Sequence, residues 1–381
     1  MAVSTPALST ESRPTEHKWL HSRDWDLIFI SLSVVLVAMP YLIYIGLLQL
    51  NQLVQPLATA LNADVDSVSR NLVNGFVALV VGGPHMYATF TRTSLSKEFR
   101  EKYPFFVWSS LIIPMIVITI AFLNLPLLLT IFFFWASIHV LHQIIYITEL
   151  YNHKKAEELP KFFQYADYGV ILTSLYPLAA VKMLEGTFAI GPNNIGEVVA
   201  GILTSIGIPW GAWIVWVSGG LFAFALTVWI IKTIIEWQRG TLNWPKTLFL
   251  GLTVTASFFV PALGNLDTAF QGMNMWHSLQ YLAITWMLNH HLHKQGKLDH
   301  TPFVDRLSGD GSARKFYRFN MTLALADIGL AGLIFAGLYF GLGKSFDFSF
   351  DRSYYIAILS FLWMHYYHDH FLFTQPDVIE V

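Results

Sequence analysis

The chain of 381 residues contains no cysteine. Without thiols there are no disulfides, iron–sulfur clusters, thiolate nucleophiles, thiolate-held haem or Cys-containing zinc sites. Charge is scarce too. Asp, Glu, Lys and Arg make up 13% of the residues, against about 25% in soluble domains. That deficit excludes an ordinary cytosolic enzyme and a disordered scaffold. The formal net charge of −2 gives a polyanion no basic field to follow, so no nucleic-acid partner is expected. P-loop and dinucleotide fingerprints are missing: Gly82-Gly83 and Gly219-Gly220 lie in apolar stretches without the remaining pattern.

What is present is apolar, aromatic and rich in imidazole. Hydrophobic residues make up 54% of the chain, with 14 His, 13 Trp, 16 Tyr and 30 Phe, and the mean hydropathy is +0.50. Apolar stretches of about 20 residues suffice to cross about 30 Å of hydrocarbon. They fall near 25–50, 72–92, 103–123, 126–150, 163–184, 208–234, 246–263, 271–291, 317–343 and 354–373. The expected fold class is an all-α, polytopic membrane bundle of about 10 transmembrane helices. An even number of spans puts both termini on one side. That side, with the polar tail 1–24, collects 19 of the 23 Lys and Arg, which predicts N-in, C-in topology. The expected division is a cytoplasmic tail 1–24, a transmembrane helical domain 25–373 and a cytoplasmic tail 374–381. Tail 1–24 has no apolar core followed by a cleavage site and so does not read as a cleaved signal peptide. The loop 51–71 is expected to form a short amphipathic helix, and the Gly-rich loop 185–207 to be irregular.

Twelve of the 14 histidines lie in or beside the second, fourth, eighth and tenth spans. Ionisable residues inside a membrane normally face the bundle interior. The second span carries `GGPH` with His85. The fourth carries His139 and His142 on one stripe with Tyr146, Glu149 and His153, spaced at about 100° per residue. In the eighth, His277 shares a face with Tyr281 and His291. The 14 residues between His277 and His291 span about 21 Å, so His277 is the intramembrane candidate and His291 belongs to the cytoplasmic mouth. The tenth carries `HYYHDH`, in which His365, His368 and Asp369 share a face. Asp369 reads as a ligand or as a partner orienting a histidine. His85, His139, His142 and His365 all fall about 10–16 Å inside the cytoplasmic ends of their spans. The candidate metal set is therefore His85, His139, His142, His277, His291, His365, His368 and Asp369.

Imidazole and carboxylate without thiolate suit iron, zinc, copper or manganese. `GGPH`, `HVLH` and `HYYHDH` resemble, as short motifs only, the histidine elements of integral-membrane non-haem di-iron enzymes. These are the fatty-acid desaturases and hydroxylases and the bacterial membrane carotene dioxygenases. The resemblance implies an oxygenase, hydroxylase or desaturase with two irons per chain. It would use dioxygen and a separate electron donor on a lipid, isoprenoid or hydrocarbon substrate, among the lipids of a bacterial cytoplasmic membrane. Two other readings remain open. One is a b-type haem electron carrier, which wants histidine pairs at two depths. The other is a proton or metal transporter with a His and Asp relay.

Overall fold

The computed structural model describes residues 18–374, apart from 62, 154–159, 191–192, 265 and 310. Most of the expected N-terminal tail, Lys154, Lys155 and the tail beyond Thr374 lie outside the described residues. The fold is all-α. Its one sheet among the described residues is a two-residue ribbon, Ala189–Ile190 antiparallel to Asn193–Asn194.

Five helices are long and apolar enough to cross a membrane: Arg23–Gln49, Pro104–Leu123, Leu125–His153, Trp213–Gln238 and Ala313–Gly341. They mark a membrane protein. The other expected spans fall on helices that are interrupted, short or polar. Lys161–Ser174 and Tyr176–Leu184 break before Pro177, and Trp244–Phe259 has 16 residues. Leu266–Lys294 and Phe346–Thr374 each run for 29 residues and carry the site's polar groups. The loop 185–207 departs from expectation. Asn194 caps a helix, Ile195–Ser205, by accepting from the Glu197 amide at 3.2 Å, so a good cap and an aliphatic run override the glycines.

Depth in the bundle separates the helices. In its most apolar stretch, Leu125–His153 has 56% of residues buried, against 6% for Trp213–Gln238. The first is therefore central and the second peripheral, packed along one face by Phe222, Ala225, Lys232 and Glu236. Two apolar cores share the central helix. One joins Leu128, Leu129 and Phe133 to Ile356, Leu359 and Trp363. The other joins Leu141, Ile144 and Ile147 to Phe249 and Trp276. His139 lies where they meet.

Two close approaches seat site-bearing segments against neighbouring helices. A Cβ on Gly272 would meet the Val37 carbonyl oxygen at 1.9 Å, and one on Gly83 would meet the Ala324 Cβ at 2.6 Å. Only glycine allows that spacing. Pro84 has no N–H to give the preceding turn, and the segment before it is a π-helix, Ala78–Gly82. The Val80 carbonyl is instead satisfied by the Tyr317 hydroxyl at 2.7 Å. The helix resumes as Gly83–Ala88 with His85 facing the interior.

Candidate metal centre

Four histidines from four helical segments converge. His85 comes from Gly83–Ala88, His139 from Leu125–His153, His277 from Leu266–Lys294 and His365 from Phe346–Thr374. Their rings close a circuit. Centroid separations are 5.1 Å for His85–His277, 5.0 Å for His277–His139, 4.8 Å for His139–His365 and 4.7 Å for His365–His85. One ring nitrogen from each lies within 4.8 Å of all the others. Four atoms within 4.8 Å of one another stand at most about 2.9 Å from a common centre, so a contraction of under about 1 Å reaches the roughly 2.0–2.1 Å of a metal–imidazole bond.

Hydrogen bonding explains which nitrogen points inward. His85 Nδ1 lies 2.5 Å from the Gly82 carbonyl oxygen. A carbonyl only accepts, so the proton is on Nδ1 and the Nε2 lone pair is free. This is the arrangement metal-binding histidines take, with the far ring nitrogen anchored on a protein oxygen. The Nε2 atoms of His85, His139 and His365, both nitrogens of His277 and Oδ2 of Asp369 are buried without a hydrogen-bond partner. A buried polar atom left unpaired costs about 1–3 kcal/mol. Six in one place approach the whole net stability of a domain, about 5–15 kcal/mol. Other orphans, such as Ser31 Oγ, Trp286 Nε1 and Asn320 Oδ1, stand on separate elements, and His368 Nε2 stands one turn from His365. A metal ion among the imidazoles would satisfy the lone pairs that nothing in the protein satisfies, so the donor set fits one.

Asp369, fully buried, closes one side. Its Oδ2 lies 3.5 Å from His365 Nε2 and 3.8 Å from His139 Nε2. Its Oδ1 accepts from the Tyr281 hydroxyl at 2.6 Å and from Thr89 Oγ1 at 2.8 Å. On another side the His139 ring stacks on Tyr366, with centroids 4.2 Å apart. A small cavity lined by Arg92, Gln143, Tyr146, Ile284 and Phe373 reaches the network at Tyr281.

Of the eight candidate residues, the structure gathers His85, His139, His277, His365 and Asp369. His368 is one turn away: its Nδ1 bonds Thr93 Oγ1 at 2.8 Å and its ring packs on Phe90 and Phe106. His142 faces outward and pairs with His370 and Phe373, both at 5.2 Å between centroids. His291 sits at the end of its helix against Gln295. Among the described residues, one group of donors assembles, enough for one ion. Thr89 is the partner that residue-type reasoning overlooks, and Tyr281 one that it places on the His277 face without a role. Both stand four residues after a site histidine, as Asp369 does, so the spacing carries a signal: His85 and Thr89, His277 and Tyr281, His365 and Asp369 each lie one turn apart on a shared face. Comparison of the chain with protein-family models, with curated proteins and with solved structures finds no match.

Proposed function

We propose that the protein is a metal-dependent membrane oxidoreductase, of oxygenase, hydroxylase or desaturase type, acting on a lipid, isoprenoid or hydrocarbon. The observation that carries the reading is the convergence of four buried imidazoles with unpaired nitrogens, beside one carboxylate oxygen, inside a bundle of apolar helices. Neutral nitrogen donors with a single carboxylate and no thiolate suit iron. Bound there, iron would supply dioxygen activation in a pocket that bulk water does not reach. The protein's own part is to hold His85, His139, His277 and His365 at one point, to keep Asp369 against them, and to surround them with apolar side chains. We propose one ion in this cluster, because five gathered donors satisfy one; the expected second iron would need donors from elsewhere.

Ten spans with both termini cytoplasmic, in a bacterial cytoplasmic membrane, complete the proposal; the basic-residue asymmetry supports the orientation. A substrate dissolved in the bilayer would approach between helices. The electron donor is a separate partner. A b-type haem fits less well: four imidazoles aimed at one centre occupy the directions that the porphyrin nitrogens would need. A transporter reading draws no support from the sealed surroundings of His365 and Asp369, both fully buried.

Metal analysis of the purified protein, an optical spectrum and an oxygen-consumption screen test the proposal together. Bound iron without a Soret band, and dioxygen uptake with an apolar substrate, are expected. A Soret band, absence of bound metal, or turnover confined to water-soluble compounds would overturn it.

A further inference from the structure

Thr89 makes no claim on a metal, yet its hydroxyl is the hub of the site's hydrogen bonds. The residue is fully buried, in the 3₁₀ turn Thr89–Thr91 that follows Gly83–Ala88. Its Oγ1 lies 2.5 Å from His365 Nδ1, 2.6 Å from the Tyr281 hydroxyl and 2.8 Å from Asp369 Oδ1. One small side chain thus touches three groups, two on Phe346–Thr374 and one on Leu266–Lys294.

Counting protons decides what this hub does. With a cation at the centre Asp369 is a carboxylate and brings no proton, while Thr89 and Tyr281 bring one hydroxyl proton each. Their three oxygens form a triangle with sides of 2.6, 2.6 and 2.8 Å. Two protons kept inside it cover two of the three sides. If Thr89 gave its proton to His365 instead, only one side would be covered. The proton on the His365 contact therefore sits on Nδ1, and Thr89 accepts it. The consequence lies across the ring. With Nδ1 protonated, Nε2 of neutral imidazole is a lone pair, and Nε2 is the atom left unpaired in the cluster.

We propose that Thr89 is a positioning residue that sets the His365 tautomer and the Asp369 orientation, presenting Nε2 and Oδ2 together to a metal ion. This rests on the metal reading of the cluster. The same hydroxyl explains why His365 and Asp369, one turn apart on one helix, present donors on the same side: both are held from across the helix interface. Tyr281 shares the hold on Asp369 and makes no bond to His365 Nδ1, so its removal should disturb the carboxylate alone.

The proposal has a test that needs no metal. Nitrogen-15 histidine spectra of the metal-free wild type, with the His365 signals assigned by their loss in His365→Gln, should show protonation at Nδ1. The same tautomer should persist in Thr89→Ser and be lost in Thr89→Val, which keeps the shape and removes the acceptor. Cobalt(II) titration provides the second readout. Thr89→Val should bind cobalt about 10–100-fold more weakly and with an altered visible spectrum, Thr89→Ser should match the wild type, and Tyr281→Phe should fall between. A His365 protonated at Nε2 in the wild type overturns the proposal even if Thr89→Val fails to fold. So does a Thr89→Val protein with wild-type tautomer, affinity and spectrum. Failure of the wild type itself to bind cobalt overturns the metal reading, while the tautomer measurement still decides the role of Thr89.

Discussion

Among the described residues, two buried clusters of ionisable groups are built on opposite principles. Near the far end of the central helix, at Asn152, stands a group formed by Asp167, Lys232, Lys246 and Glu236, all 2% exposed or less. There, charges meet partners. Asp167 Oδ1 receives Lys232 Nζ at 2.7 Å and Oδ2 receives Lys246 Nζ at 2.8 Å. Lys232 also reaches Glu236 at 3.2 Å, and Lys246 donates to Asn152 Oδ1 at 3.0 Å. Asp26 follows the same rule on a smaller scale, accepting from the Leu20 and His21 amides and the Tyr151 hydroxyl. The network fastens the peripheral Trp213–Gln238 helix to Lys161–Ser174, Trp244–Phe259 and the central Leu125–His153. Its charges balance, two ammonium groups against two carboxylates. The histidine centre is anchored on its outside at His85, His365 and Asp369 by Gly82, Thr89 and Tyr281, and open at His277 and at its middle. Matched charges in a low-dielectric interior hold helices together, whereas lone pairs aimed at one another are tolerated where something else is to be bound.

That contrast breaks most sharply at the metal. His365→Ala and His139→Ala should each abolish stoichiometric metal binding while leaving membrane insertion intact, and His142→Ala should retain it. Elemental analysis of the purified variants decides, and full metal content in both of the first two would remove the assignment. The second comparison is of stability. Asp167→Asn strips two buried ammonium groups of their shared counter-ion and should cost about 3–5 kcal/mol, read by thermal unfolding in detergent. His277→Leu should have the reverse sign in the metal-free protein. It replaces two unpaired nitrogens with apolar surface and should stabilise by about 1–3 kcal/mol, together with loss of metal. If His277→Leu destabilised the metal-free protein as Asp167→Asn does, the two clusters would be of one kind.

The smallest expected effect comes from a charge that belongs to neither cluster. Asp64, exposed, caps the helix Val65–Val77 by accepting from the Ser67 amide and hydroxyl, both at 2.8 Å. Those bonds hold its carboxyl below the ordinary value of 3.8. A depressed folded value means that the stabilisation is present above the ordinary carboxylate range and lost as pH falls through the folded value. Asp64→Ala should cost about 1 kcal/mol near neutral pH and nothing in strong acid. Hydrogen exchange at the Ser67 amide measures it, and a pH-independent difference would show that the carboxylate charge plays no part.

Much of the centre was legible before any coordinates. His85, His139, His277 and His365 stand out because ionisable groups in apolar helices are rare, and helical rise places three of them at one depth. Asp369 follows from its position one turn after His365. His291 is set apart by its spacing, about 21 Å along the helix from His277, but His142 and His368 share that chemistry, and the sequence offers no ground for separating them. What separates them is rotation about the helix axis relative to neighbours. His142, three residues after His139, turns away to His370, and His368, three after His365, turns to Thr93 and Phe106. A π-helix before Pro84 and the irregular start of Arg23–Gln49 alter such rotations locally, and hydropathy does not register them.

The sequence by itself determined the solvent, the fold class and the donor chemistry, because composition and periodicity are properties of the chain. No cysteine means no thiolate, and long apolar helices mean a membrane. Only the tertiary structure decided which imidazoles converge, that Thr89 and Tyr281 stand behind them, and that Asp167 is already spoken for by two lysines. Those outcomes depend on side chains separated by tens to hundreds of residues meeting within about 3 Å, a precision set by packing contacts such as Gly272 against Val37 and invisible to any pattern along the chain.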